Sequence, residues 1–367
     1  MKKTLLAAAV VSALVASTAA SAATVYDKDG TVLNVNGRIE AQWYNAGSSN
    51  NMTGKVANND SSIYNWARMS MDGRSKLNDY ATAFGKMEWD VADGDQRDGM
   101  SARDQFIGVD FGKFGKVQTG RYKSLLQTVV AVTDVLAGDG ESGKTYVIGD
   151  TRNAGKLTYT WNGYGVLLGA EYQSAKDGYS EHGEAFAVES GYSLIAGYTT
   201  PAVLFGPISI KAGYSYLSGQ DDATVDADGV ANPEIVDNQS GWAASLAWGT
   251  PSAGWYFAGE YSAVTYEYNN GASDLDGTGF EVIGKYSFAN GLSLATGYQY
   301  EKWEQDGESN ASSQIPLVAE YNFNPNFKVY AQANFGVNKA EDNGVRDGAS
   351  PTLGDGNAFA VGARYTF

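Results

Sequence analysis

One segment of the sequence carries a pattern associated with phosphate chemistry. Residues 138–145, Gly-Asp-Gly-Glu-Ser-Gly-Lys-Thr, match G-x-x-x-x-G-K-[ST] at every fixed position, a loop that holds nucleotide phosphates through backbone N–H groups and a lysine. That chemistry needs a strand before the loop and a helix after it. Residues 129–136 could supply the strand, but residues 146–150, Tyr-Val-Ile-Gly-Asp, disfavour a helix. We therefore interpret the match as coincidental.

Other residues with catalytic or metal-binding potential are scarce. His182 is the only histidine, and the chain contains no cysteine. A Ser-His-Asp unit would have to use His182, which lies in a polar stretch and has no accompanying G-x-S-x-G motif. Residues 226–229, Asp-Ala-Asp-Gly, match part of a calcium loop, but Ile235 stands where the loop needs glutamate. We expect no enzymatic activity, no cofactor and no metal.

The dominant pattern is an alternation of apolar with small or polar side chains. In the last nine residues, Phe359, Val361, Ala363, Tyr365 and Phe367 share one face of a predicted strand. Similar alternation covers residues 33–43, 81–91, 155–161, 241–248, 255–263, 280–288, 292–300, 315–323 and 327–338. About sixteen such segments fit the chain, although several are poorly patterned, so twelve or fourteen strands remain possible. The fold class is all-β, an antiparallel barrel that spans a membrane.

The connections between these segments are of two alternating kinds. Short turns contain glycine, asparagine or proline, as at residues 112–115, 162–164 and 324–325. Long acidic, glycine-rich connections cover residues 46–62, 93–102, 124–150, 219–239, 269–278 and 339–356. Outer-membrane barrels have short periplasmic turns and long external loops. The alternation therefore predicts that all long connections lie at one rim.

The amino terminus predicts export. Lys2 and Lys3 precede an apolar run, and Ala20-Ser21-Ala22 forms a cleavage site, so residues 1–22 read as a signal peptide and residues 23–367 as one barrel domain. The apolar run is too short for a retained transmembrane anchor, and no other segment approaches eighteen consecutive apolar residues. Loss of the two lysines would leave 24 basic against 42 acidic side chains, a net charge of −18. The mean hydropathy of −0.31 suits a barrel with a wet interior.

Several motifs, taken together and in order, resemble the general porins of Gram-negative bacteria. They are residues 23–30 and 36–38 near the predicted mature start, then 67–68, 85–89, 120–122, 133–136 and 361–367. The resemblance covers the whole predicted mature chain. It implies a sixteen-stranded, trimeric outer-membrane barrel whose third external loop folds into the lumen.

The resemblance also implies where the pore narrows. Matching by local motif places a ladder of basic residues at Arg38, Arg68, Arg103 and Arg152. The facing loop would supply the acidic residues Asp134, Asp139 and Glu141; here Ala137-Gly138-Asp139-Gly140-Glu141 replaces the family's Pro-Glu-Phe-Gly-Gly. Guanidinium groups on one side and carboxylates on the other set up a transverse field that acts on ions and dipolar solutes.

We expect a water-filled channel for passive diffusion of ions and small hydrophilic solutes, weakly cation-selective. The alternative is an outer-membrane adhesin, phage receptor or structural barrel, which would fill its lumen with interlocking side chains, whereas Gly297, Gly336 and Gly362 leave space. Expected partners are outer-membrane lipid and lipopolysaccharide, two further copies of the chain and the transported solutes, but no nucleic acid. The resemblance implies that Tyr365 and Phe367 form a terminal signal read by the barrel-assembly machinery.

Overall fold

The computed structural model describes most of the predicted mature chain. The described residues are 23–46, 61–91, 99–136, 147–149, 151–181, 184–220, 236–268, 273–338 and 356–367. The predicted signal peptide, Asp139, Glu141, His182 and residues 226–229 lie outside these ranges, so their predictions stay predictions. In the part of the chain that is described, no helix is both long and apolar enough to cross a membrane.

Eighteen strands and two short helical turns make up the described chain. The strands are β1 (Ala23–Lys28), β2 (Thr31–Ala46), β3 (Ser61–Asn78), β4 (Ala81–Val91), β5 (Met100–Asp110), β6 (Lys116–Lys123), β7 (Arg152–Gly163), β8 (Val166–Gln173), β9 (Lys176–Glu181), β10 (Glu184–Thr199), β11 (Ile208–Gly219), β12 (Val236–Thr250), β13 (Ala253–Tyr268), β14 (Leu275–Ser287), β15 (Leu292–Gln305), β16 (Glu308–Asn324), β17 (Phe327–Asn338) and β18 (Ala358–Thr366). The helical turns are a 3₁₀ turn at Gly112–Phe114 and helix α1 at Gln127–Val130.

The strands form one closed antiparallel sheet with sixteen positions. Sequential strands other than β8 and β9 pair with one another, and β18 pairs with β2 to close the ring. Two positions are shared: β1 and β18 both pair with the edge of β2 that faces away from β3, and β8 and β9 both pair with one edge of β10. Eighteen strands therefore occupy sixteen places. The predicted count is confirmed, and the alternatives of twelve and fourteen are wrong.

Alternating exposure along the strands confirms the predicted two faces. In β18, Phe359 and Val361 are 41% and 55% exposed, while Ala358 and Ala360 are buried. In β2, Trp43 faces outward and Glu40 inward, in the phase predicted from the sequence. The outer face is therefore apolar and the inner face polar, as a membrane barrel with an aqueous lumen requires.

The two rims differ as predicted, with one exception in the β15–β16 hairpin. The sequence pattern ended these strands at residues 300 and 315, but Asp306 and Gly307 alone connect them. Both adopt positive φ, 54° and 80°, the geometry of a tight hairpin turn that Asp-Gly favours. Residues 301–305 and 308–314 are mostly polar, but they pair across this hairpin. The two strands therefore extend beyond the ends that the apolar alternation predicted.

Two of the inward glycines, Gly297 and Gly362, do not leave the space predicted for them. A Cβ at Gly362 would lie 2.3 Å from the Tyr330 ring, and one at Gly297 would lie 2.1 Å from the carbonyl oxygen of Val282. A side chain at either position would collide with this group of the adjacent strand, so both positions require glycine in this arrangement. The prediction that Gly297 and Gly362 leave space is therefore wrong, and for Gly336 it stays a prediction.

Candidate functional site

The connection between β6 and β7 enters the barrel. Its first part, residues 124–136, is here called the inner segment. Leu126, Val129 and Val130 on the inner segment are fully buried, and they belong to one apolar cluster with Ile195 of β10 and Ala243 of β12. Side chains of this kind pack only where water is excluded. The apolar start of this loop therefore packs on the inner wall, and the predicted inward fold is confirmed for the described residues.

Hydrogen bonds fix the loop to strands far from those that it connects. Lys211 Nζ, Tyr256 Oη and Lys285 Nζ donate to backbone carbonyls of the inner segment, and the N–H of Val147 donates to a wall hydroxyl. The bonds are Lys211–Thr128 (2.8 Å), Tyr256–Val132 (2.6 Å), Lys285–Val135 (3.1 Å) and Val147–Ser262 (3.1 Å). They attach the loop to β11, β13 and β14, so it crosses the barrel. Asp134, on the same segment, is exposed.

Strands β3, β4 and β5 carry a network of ion pairs on the inner side of the barrel. Arg68 Nε lies 2.7 Å from Asp90 Oδ1. Arg103 contacts both acidic residues of β4, with Nε 2.7 Å from Glu88 Oε1 and NH1 2.7 Å from Asp90 Oδ2. These are charge-assisted hydrogen bonds of short length. Two of the predicted arginines are thus joined through Glu88 and Asp90.

The network continues to β7 through a β-bulge. Met87 pairs with Gln105 and Trp89 with Ala102, so Arg103 and Asp104 together oppose one residue, Glu88. A bulge of this kind redirects side chains. Asp104 Oδ1 accepts from Arg152 Nε at 2.6 Å, and Asp104 Oδ2 lies 3.3 Å from Lys86 Nζ. We call the set Arg38, Arg68, Lys86, Glu88, Asp90, Arg103, Asp104 and Arg152 the charged wall.

Arg38 joins the charged wall through an aromatic ring. Its guanidinium carbon lies 4.2 Å from the ring centre of Trp66, and those of Arg68 and Arg364 lie 5.3 and 5.8 Å away. Arg38 and Arg68 are direct cross-strand partners, an arrangement in which like charges repel. Contact with the indole face offsets part of this repulsion. Arg364 also pairs with Glu40, with Nε 2.5 Å from Oε2.

The structure brings the four predicted arginines together with partners that sequence reasoning missed. Lys86, Glu88 and Asp90 alternate along β4, so the period of two that identified the strand also places them on its inner face. Trp66 was missed because an inward tryptophan and an outward, lipid-facing one look alike in the sequence. Asp104 could not be found by alternation, since the bulge moves it out of phase.

In the part of the chain that it describes, the structure disfavours the nucleotide-binding alternative. The G-x-x-x-x-G-K-[ST] match lies outside the described residues, but the segment before it forms helix α1 and turns where a nucleotide-binding loop needs a strand. Across the described ranges, no group of three or more histidine, aspartate or glutamate side chains could hold a metal ion. The chemistry available here is that of a charged, water-exposed passage.

Comparisons with known proteins agree with this geometry. The family model for Gram-negative porins matches residues 7–341. Outer membrane porin F of Salmonella typhi is 27% identical over 398 residues, with complete coverage of both chains. The solved structure of Salmonella typhi OmpF in complex with daunomycin has a TM-score of 0.73 at 20% identity, covering 93% of this chain and 99% of that one. In-vitro folded OmpT of Vibrio cholerae, in its trimer form, has a TM-score of 0.64 at 19% identity, covering 92% and 100%.

The chain therefore belongs to the Gram-negative porin family. It is a multi-pass outer-membrane β-barrel that forms a channel for passive diffusion. The expectation that the lumen serves permeation, and is not incidental to a receptor or structural barrel, is confirmed at the level of the family.

Proposed function

We propose that this porin passes small hydrophilic solutes and ions with a modest preference for cations. Permeation is controlled between the charged wall and the loop that carries Asp134, Asp139 and Glu141. The inner segment is anchored to β11, β13 and β14, whereas the charged wall lies on β2–β5 and β7. The open passage therefore runs beside the charged wall, where its charges act on passing solutes.

The pairing of the arginine ladder supports the cation preference. Arg68, Arg103 and Arg152 each lie within 2.7 Å of a carboxylate on the same wall. A paired guanidinium projects a weaker field into the lumen than an isolated one, because its partner carboxylate cancels much of it. The net charge of −18 expected for the mature chain, together with acidic residues on the loop, then favours cations.

We expect reversal potentials of the purified protein in a planar bilayer, measured across a potassium chloride gradient, to indicate cation preference. The preference should shrink as ionic strength rises, since the Debye length falls from about 10 Å at 0.1 M to about 3 Å at 1 M. A clear anion preference at low salt would mean that the arginines dominate and that the proposal is wrong.

Two arginine variants locate the source of this selectivity. Arg68→Ala leaves Asp90 with one fewer cationic partner, so the potassium-to-chloride permeability ratio should rise roughly two- to fivefold, because a unit charge a few ångströms from the ion path is worth about 1 kcal/mol in water. Arg74→Ala is the matched control, as Arg74 lies on the same face of β3 but is exposed near the short-turn rim. Equal responses of both variants would contradict a role for the charged wall.

We also propose that the protein is a homotrimer. The outer face of β3–β5 presents small residues such as Ala67, Ala83 and Gly85 beside Ile107, which is 64% exposed, a surface that suits contact with another barrel. The related OmpT structure is described as a trimer. On gels, the unboiled protein should migrate as a trimer and the boiled protein as a monomer. A monomer in both lanes would overturn this proposal.

A further inference from the structure

The connection between β10 and β11 carries a run of exposed apolar residues at the short-turn rim. It covers residues 200–207, Thr-Pro-Ala-Val-Leu-Phe-Gly-Pro, and contains no charged side chain. Val203, Leu204 and Phe205 are 41%, 86% and 37% exposed. We call residues 203–206 the apolar tip. Three exposed apolar residues in succession are unusual on a surface that faces water.

The apolar tip has a defined backbone structure. Val203 and Gly206 exchange two backbone hydrogen bonds, of 2.8 and 3.3 Å. The carbonyl of Pro207 accepts from the N–H of Gly249 at 2.9 Å. A Cβ at Gly206 would lie 2.5 Å from the Cα of Gly249, so close approach of the two chains requires glycine. The tip is thus held firmly against the end of β12.

Aromatic contacts direct the tip to the outer wall of the barrel. The Phe205 ring is stacked on Trp248, with centroids 4.2 Å apart, and lies 6.0 Å from Phe257. Trp248 Nε1 donates to the carbonyl of Val203 at 2.9 Å. Phe257 is exposed on the apolar outer face of β13. The connection therefore folds back over the lipid-facing side and does not continue away from the membrane.

Leu204, at the point of the tip, has an unfavourable backbone conformation. Its φ is +57°, in the left-handed region that glycine adopts freely and that costs other residues about 1 kcal/mol or more. A strained backbone conformation persists only when the surrounding structure holds it in place, and such residues are concentrated at functional sites. Leu204 contributes little to the packing of the barrel, because most of its surface is exposed.

We propose that the apolar tip inserts into the inner leaflet of the outer membrane and anchors the short-turn rim to phospholipid. Short turns face the periplasm in outer-membrane barrels, so this rim lies at the inner leaflet. The tip continues the apolar outer surface formed by Ile210, Trp255 and Phe257. The stacked pair of Trp248 and Phe205 is aromatic, and aromatic residues, tryptophan above all, are enriched at the boundary between headgroups and acyl chains.

A single-cysteine probe tests this placement directly, because the natural chain has no cysteine. Leu204→Cys carries an environment-sensitive fluorophore in vesicles of phosphatidylcholine that contain spin-labelled quencher lipid. Ser252→Cys is the matched control, since Ser252 is an exposed polar residue in the neighbouring turn on the same rim. We expect the probe at 204 to be quenched strongly by lipid and several-fold less by aqueous iodide than the probe at 252. Equal iodide quenching at both positions would overturn the proposal.

A second variant separates lipid anchoring from folding. Leu204→Gly removes the side chain and relieves the backbone strain. Its melting temperature should be unchanged or raised in detergent, but lowered relative to the natural protein in phosphatidylcholine vesicles. The same shift in both media would mean that the side chain has no lipid-specific role, and would contradict the proposal.

Discussion

Removal of residues 137–144 will raise single-channel conductance roughly twofold and admit larger sugars, because the loop obstructs the lumen cross-section that limits flow. The flanking residues 124–136 and 147–149 are docked on the wall. We therefore expect a shorter link between them to leave less chain available to obstruct the passage. Planar-bilayer recordings and liposome swelling with sugars of increasing size measure the two effects.

A deletion of equal length provides the control. Removing residues 224–231 shortens the β11–β12 connection, which is predicted to be an external loop, and should leave conductance and the size limit unchanged. If deletion of residues 137–144 also changes neither quantity, this part of the loop lies outside the passage and the constriction must be formed elsewhere.

Deletion of Phe367 will lower the amount of barrel in the outer membrane by roughly tenfold or more. The residue completes the β18–β2 closure, since Gly37 and Phe367 exchange two backbone hydrogen bonds of 2.8 and 2.9 Å. A net loss of about 1 kcal/mol for each bond, about 2 kcal/mol for the pair, already exceeds a tenfold change. The Phe367 ring also covers Gly37. Quantitative immunoblots of outer-membrane fractions measure the effect.

The control for this deletion is another exposed aromatic residue near the same rim. Phe323→Ala removes a ring that is 61% exposed on β16 without altering the closing strands, so it should reach the membrane at near-normal levels. Tyr365→Ala should give an intermediate loss, as its ring lies 6.2 Å from that of Phe367. Normal levels of the Phe367 deletion would show that the terminal residue is not required for assembly.

The sequence predicted strands best where lipid faces one side and water the other. The bounds of β4 and β17 matched their predicted segments, Ala81–Val91 and Phe327–Asn338, because side chains there alternate cleanly in polarity. Strand ends that extend beyond the membrane have water on both sides, so the contrast between an apolar and a polar face is lost there. Residues 301–305 and 308–314 pair in the sheet but are mostly polar, so hydropathy did not detect them.

The candidate site was only partly predictable because it depends on pairing between strands. Each arginine was placed by a local motif, but the carboxylates that pair with Arg68 and Arg103 lie on the adjacent strand β4, and Asp104, which pairs with Arg152, lies two strands away. The bulge opposite Glu88 turns Arg103 and Asp104 to the same side, which strict alternation forbids. Gly362 was misread because the sequence does not show that the Tyr330 ring fills its place.

The anchoring of the inner segment has a consequence for the order of assembly. Its hydrogen-bond partners Tyr256 and Lys285 lie 124 and 150 residues further along the chain. Contacts of such separation form late, because the intervening chain must first be organised. The loop can adopt its docked position only after the hairpins of β11–β14 exist, well after β6 and β7 have been made. The carboxy-terminal half of the chain thus acts as the template on which an amino-terminal loop acquires its shape, and a chain halted before β11 would lack every one of these anchors.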